Sequence, residues 1–213
     1  MSEKTTKVLR LPAAERRKQI IDAVIQVVSE HGLPGATTAR IADTAGVGPG
    51  TLYRYFSSQD EMFLTALEAV YQQIMRPWFE SPEKDALARI RAVARHHSHV
   101  MATDGGGFAV PWVEFIAGAP QTGLRDAVAD AQRRAYKVVE SVIDEGKAQG
   151  SIRPDVDTQQ LSYEFLCFAW GENLSVLMGL TEFLGQGHSI QMLDRALDDA
   201  ATRPPGTVED VEE

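Results

Sequence analysis

The sequence predicts an all-α protein: a three-helix N-terminal head carrying a helix-turn-helix, followed by a larger C-terminal helical bundle, about nine helices in all. Three observations carry that expectation. Apolar residues recur three and four apart along most of the 213 residues, which is the period of a helix with one inward face. No stretch alternates with the period of two that a half-buried strand needs. Glycine and proline fall where those helical runs stop, as in Gly32, Gly46, Gly118 and Gly150.

Taken in order, Ile20, Val24, Val27 and Val28 form one stripe on a helix over 12–31, opened by Pro12 and stopped before Gly32. Thr37 and Thr38 supply an N-cap for a short helix to about 45, Gly46 allows a tight turn, and Pro49 opens a second short helix to 56. After Ser57, a further N-cap, the residues Met62, Phe63, Ala66, Leu67, Val70 and Ile74 mark a longer helix ending near 76–77. Five helices follow: 82–102, a short one over 111–117, a long seam over 122–150 (Leu124, Val128, Ala131, Ala135, Val138, Val142), 157–180 and 190–201. The helix over 157–180 is apolar nearly all round, so it needs cover on two sides, one of them from a second copy of the chain. The expected division is 1–57 for the head with a basic arm, 58–201 for a sensing and dimerising body, and 202–213 for a disordered acidic tail.

Hydrophobic residues make up 44% and charged residues 24%, which excludes a disordered chain. The single cysteine, Cys167, excludes an internal disulfide framework and reads as a small buried apolar residue. No apolar run approaches the roughly 20 residues of a membrane span, and residues 1–17 hold no signal-like block, so the expected location is the cytoplasm. Net charge is −9, yet residues 1–58 carry eight Lys/Arg against five acids, a net of +3, leaving −12 on the rest. A basic head on an acidic body suits contact with a polyanion at one end only.

The segment over 37–56, TTARIADTAGVGPGTLYRYF, carries the function. Ile41, Ala42, Val47, Leu52 and Phe56 take the inward positions, which leaves Pro49, Gly50, Thr51 and Arg54 outward between Tyr53 and Tyr55. That surface is small at its leading end and rich in donors for phosphate oxygens and base edges of duplex DNA. Were TLYRYF only a packed turn, both tyrosines would be buried.

The pattern resembles the TetR family of bacterial transcriptional regulators over residues 15–75. The matching residues are Gly32, Gly35, Thr37 and Thr38, then IA-x-x-AGV from Ile41 to Val47, then GTLYRYF from Gly50 to Phe56. The resemblance implies a helix-turn-helix whose second helix reads double-stranded DNA, and a homodimer joined through the helices over 157–180 and 190–201. It also implies a small-molecule effector of unknown identity bound in the body, and a repressor. It maps DNA contacts onto Thr38, Arg40, Pro49, Gly50, Thr51, Tyr53 and Tyr55, with Arg54 beside them. Members often carry a lysine where this chain has Gln59, so Arg54 or the arm residues Lys4, Lys7 and Arg10 would compensate.

Other signals are weaker. Gly46, Gly48 and Gly50 follow no strand and lack dinucleotide spacing. His96 and His99 share a helix face, but no third ligand is signalled, so no metal is expected. No nucleophile motif occurs, and neither a catalytic residue nor a cofactor is expected; the alternative function is a helical-bundle enzyme acting on a small apolar substrate through a His–Glu pair. Asn173 reads only as part of a sequon irrelevant inside a cell. Candidates for an effector pocket are Trp78, His97, Phe108, Trp112, Glu114, Phe115, Tyr136, Phe165 and Trp170.

Overall fold

The computed structural model describes residues 11–103 and 107–202. Lys4, Lys7 and Arg10 of the expected arm, the loop over 104–106 and residues 203–213 of the expected tail lie outside the described residues. Ten helices are present among those described, and no strand; a lone antiparallel bridge joins Ile152 to Ala201.

The head is formed by α1 (Ala13–Gly35), α2 (Thr38–Thr44) and α3 (Pro49–Leu52). The stripe Ile20, Val24, Val27 and Val28 is buried as expected. Gly32, with φ 69° and ψ 164°, breaks the ladder where the helix was expected to end, but one more turn follows because Leu33 is buried. The second short helix, expected over 49–56, is regular only over Pro49–Leu52 and closes through turns at 53–55.

α4 (Gln59–Glu80) is the spine that continues into the body. Its N-cap is Ser58 rather than Ser57: the Ser58 hydroxyl accepts from the Glu61 N–H at 3.1 Å. Glu61 reaches back to accept from the Ser57 N–H at 2.6 Å, closing a reciprocal cap. The helix passes the expected stop at 76–77. Pro77 removes one ladder bond within the last turn, and burial of Trp78 beside Phe165, ring centroids 5.0 Å apart, holds that turn in place.

The body adds α5 (Ala86–Thr103), α6 (Ala109–Thr122), α7 (Arg125–Gln149), α8 (Thr158–Leu177), α9 (Thr181–Gly185) and α10 (His188–Ala200). α5 starts four residues later than expected because Asp85 accepts from the Ala88 N–H at 2.8 Å and so caps it. α6 was expected only over 111–117; it runs through Gly118 and Pro120, since Gly118 and Ala119 are buried. In α7 the residue facing inward is Val139 rather than Val138, because a straight helix drifts from a strict four-three spacing. α8 ends at Leu177 rather than 180, and the five-residue α9 was not expected; it is anchored by buried Leu184. One apolar core runs without interruption from Ile20 in α1 to Ala200 in α10.

The broadest helix–helix contact joins α1 to α6. At its centre a Cβ added to Gly118 would sit 2.5 Å from the Leu33 Cβ, so the two backbones approach as closely as glycine permits. The same α6 carries residues of the body's internal cavity at its other end.

Candidate nucleic-acid interface and internal cavity

The turn between α2 and α3 is set by local chemistry. Thr37, in extended conformation, accepts from the Arg40 N–H and starts α2. Gly46 takes φ 63°, and the Val47 N–H returns to the Ala42 carbonyl at 2.9 Å while its side chain packs on the core. Gly48 is extended and Pro49 occupies the first position of α3. Leu52 and Phe56 are buried beneath it.

Above them the expected surface is presented. Pro49, Gly50, Tyr53 and Arg54 are exposed, Tyr53 by 52%. Thr51, Tyr55 and Thr38 are half-buried; Tyr55 packs on the core and so is less outward than expected. Arg40 is exposed and its guanidinium donates to the Gly35 carbonyl at 2.8 Å. Arg54 has no ion-pair partner among the described residues. Gln59, at the usual lysine position, donates to the Ala36 carbonyl at 2.7 Å and so ties α4 to the start of α2.

A residue that sequence reasoning missed holds this surface from behind. Arg17 of α1 donates to the Tyr55 carbonyl at 2.5 Å and to Glu61 at 3.1 Å, and its guanidinium lies 4.0 Å from the centroid of the Phe56 ring. Glu61 is held below the ordinary carboxylate range by the Ser57 N–H and hydroxyl and by Arg17. Only the position of Arg17, three residues before the first buried isoleucine of α1, hinted at it.

The body holds a cavity of about 620 Å³, open to solvent at one side, between α4, α5, α6, α7 and α8. Trp78, Phe108, Trp112, Phe165 and Trp170 line it, with Met75, Val93, Met101, Val139 and Leu166 between them. Its polar lining includes His96, His97, Gln132 and Asn173. Beside it, Glu172 is 1% exposed and accepts through Oε1 from the hydroxyls of Ser98, at 2.7 Å, and Ser189. Its other oxygen lies 3.8 Å from His97 Nε2. Burial pushes the Glu172 carboxyl up and pushes His97 down to about 4, with the charge of His96 adding to the second effect.

Two family models match this arrangement in turn. Residues 20–66 match bacterial regulatory proteins of the tetR family, and residues 86–182 match a tetracyclin repressor-like C-terminal domain. The chain belongs to the TetR family. It is 29% identical over 163 residues to the transcriptional repressor KstR2 of Mycolicibacterium smegmatis, covering 72% of this chain and 75% of that one. It is 24% identical to the fatty acid metabolism regulator protein of Bacillus subtilis, covering 66% and 73%. Among solved structures, a TetR regulator from Haloarcula marismortui superposes with a TM-score of 0.74 at 20% identity, covering 89% of this chain and 100% of that one. The regulator FadR from Bacillus subtilis, solved in complex with stearoyl-CoA, gives 0.60 at 20% identity, covering 87% and 97%.

Within this TetR body, six of the expected pocket residues line the cavity: Trp78, His97, Phe108, Trp112, Phe165 and Trp170. Three do not, and the rotation of their helices is the reason. Glu114 lies one turn before Gly118 on the face of α6 that meets α1, with its Oε2 3.1 Å from where a Cβ of Gly32 would be. Phe115 is fully buried in the core, and Tyr136 donates to the Gln159 carbonyl at 2.6 Å. Cys167 is exposed rather than buried. Around it the outer faces of α8, α9 and α10 expose Tyr163, Leu174, Leu177, Met178, Phe183 and Met192. No helix among the described residues is long and apolar enough to cross a membrane.

The buried imidazole makes stability depend on acid. Unfolded His97 takes up its proton near 6.5, while the folded ring does so only near 4. Between those values the unfolded chain binds more protons, so stability falls as pH drops through that window, by up to ~3 kcal/mol. Urea midpoints measured from pH 7 to pH 4.5 are expected to fall more steeply for the natural protein than for His97→Gln. Parallel curves would show that the ring is not held neutral.

Proposed function

We propose that this TetR-family protein is a ligand-responsive repressor that binds a pseudo-palindromic operator as a homodimer in the cytoplasm. The observation that carries the reading is α3. Its leading end is Pro49 and Gly50, with Tyr53 and Arg54 outward and Leu52 and Phe56 fixed inward, which allows the backbone to come close to the floor of a major groove. Thr38, Arg40, Thr51, Tyr53 and Tyr55 serve as phosphate and base contacts around it, with residues 1–57 acting as the reading head and 58–201 as the sensing and dimerising body.

The exposed apolar residues of α8, α9 and α10 support pairing of two copies through those helices, as a patch of this kind on one chain marks an interface. Pairing would place two α3 elements in successive major grooves about 34–36 Å apart or at a related spacing. The cavity supports a small effector, and an acyl-CoA seated in a structural relative is in keeping with it. An effector favouring the other head spacing releases DNA with a coupling of only ~1–3 kcal/mol.

Gel shifts on duplex DNA from upstream of the protein's own gene test the reading. Tyr53→Phe removes one exposed hydroxyl and is expected to weaken binding by roughly 2- to 10-fold, the worth of one hydrogen bond, with the melting temperature unchanged. Equal affinity of the variant would remove Tyr53 from the interface, and no retardation of any upstream fragment at low salt would sink the reading as a whole.

A further inference from the structure

We propose that Arg17 of α1 is a positioning residue for DNA recognition: its guanidinium fixes the end of the segment over 49–56 against α4 without touching DNA, and operator specificity depends on that fork. This rests on the reading of α3 as the DNA-binding element and names a residue outside it on which its aim depends.

The residues after α3 have little to hold them locally. Regular helix stops at Leu52, and the N–H groups of Arg54, Tyr55 and Phe56 turn back onto the carbonyls of Thr51 and Leu52 at 3.2, 3.0 and 3.0 Å. One turn of helix does not sustain itself, so the direction of Tyr53 and Arg54 is set from outside. Phe56 is buried and does part of this, but an apolar contact is non-directional and leaves rotation of the segment open.

Arg17 supplies the direction. Its Nη1 donates to the Tyr55 carbonyl at 2.5 Å, while Nη2 donates to Glu61 at 3.1 Å and to the Thr65 hydroxyl at 3.4 Å, both on α4. Glu61 is itself held, accepting from the N–H and the hydroxyl of Ser57 at 2.6 and 2.8 Å. A rigid planar fork thus ties the end of the reading segment to α1 and α4 at once, which the single point charge of a lysine cannot do. The side chains of Arg17 and Glu61 are 39% and 38% exposed, and ion pairs so open to water add little to stability. What the fork contributes is orientation. Both of its terminal nitrogens already donate within the protein, and its plane lies over buried Phe56 rather than beside the exposed Pro49, Gly50 and Tyr53.

Two substitutions in the full chain separate orientation from charge. Arg17→Lys keeps the charge and loses the fork; Arg17→Gln loses both. Anisotropy of fluorescein-labelled duplexes gives the affinity for the upstream fragment that the natural protein retards and for a scrambled duplex of equal length, each over a range of salt. The ratio of the two affinities is expected to fall about tenfold in both variants, the effect of losing one or two hydrogen bonds to DNA. The slope of log affinity against log salt should stay as it is, whereas a lost phosphate contact lowers it by about one. Tyr53→Phe, which weakens binding in the natural protein, should add nothing in Arg17→Lys, because its hydroxyl is no longer carried to its partner. Amide protection over α1 and α2 should match the natural protein. This role is overturned by an unchanged ratio in Arg17→Lys, by a slope lowered by about one in Arg17→Gln, or by opening of α1 and α2 in both variants, which would make Arg17 a determinant of the fold alone. Failure of the DNA reading itself looks different: the natural protein would then bind both duplexes alike, and Arg17 would have no specificity to set.

Discussion

Leu52→Ala is expected to abolish operator binding while most of the body stays folded. Leu52 is fully buried, and with Phe56 it belongs to the apolar core that also holds residues of α1, α2 and α4. Truncating such a leucine costs ~2–5 kcal/mol through lost transfer energy and the cavity left behind. α3 is only four residues of regular helix and cannot sustain itself. The loss therefore falls on the head first. Amide exchange should show the segment over 38–56 opening in the variant while α7 and α8 keep their protection, and gel shifts should show no complex. Intact DNA affinity, or uniform loss of protection over the whole chain, would contradict this account of how α3 is held.

Gly118→Val should be the most damaging single change at the contact of head and body. A Cβ there meets the Leu33 Cβ at 2.5 Å and its Cδ2 at 3.0 Å; the first belongs to the stem of a side chain on the short turn after Gly32 and cannot swing away. α1 and α6 must move apart. Overpacking of this kind costs ~1–3 kcal/mol, and the absence of a flexible neighbour puts this case at the upper end. Because α6 also supplies Ala109 and Trp112 to the cavity, the displaced contact ties a cavity-lining helix to the head. A lowered melting temperature is expected together with weaker release of DNA by an effector that still binds. Gly146→Val is a useful comparison, since its nearest neighbour is the movable end of Ile152, 2.6 Å away, and the clash is easier to relieve. If the two variants melt alike and both still release DNA, the α1–α6 contact has no special part in the switch.

How far the sequence could be read follows from how far apart the deciding residues lie. The turn at Gly46, Val47 and Pro49 depends on partners within six residues, and it was legible. The second half of the segment over 49–56 was not, because Arg17, 38 residues earlier, fixes the Tyr55 carbonyl and the face of Phe56. Helix ends at Pro77 and Pro120 were misplaced for a similar reason: proline signals a stop locally, but burial of Trp78 and of Gly118 with Ala119 carries each helix one turn further. Within the body the choice between lining a cavity and filling the core rests on the rotation of a helix about its axis. Trp112 and Phe115 are three residues apart and equally apolar, yet the first faces the cavity and the second the core. Asn173 and Glu172 did carry a signal, since polar residues in a helix apolar on every side need a reason to be buried, and the sequon reading hid it.

The uncovered side chains from Tyr163 to Met192 have a bearing on dosage. If two copies must meet before either grips DNA firmly, occupancy of the target climbs with roughly the square of abundance when the protein is scarce, and only linearly once pairs predominate. A cell that halves its supply would then relieve its genes by more than half, with no small molecule present.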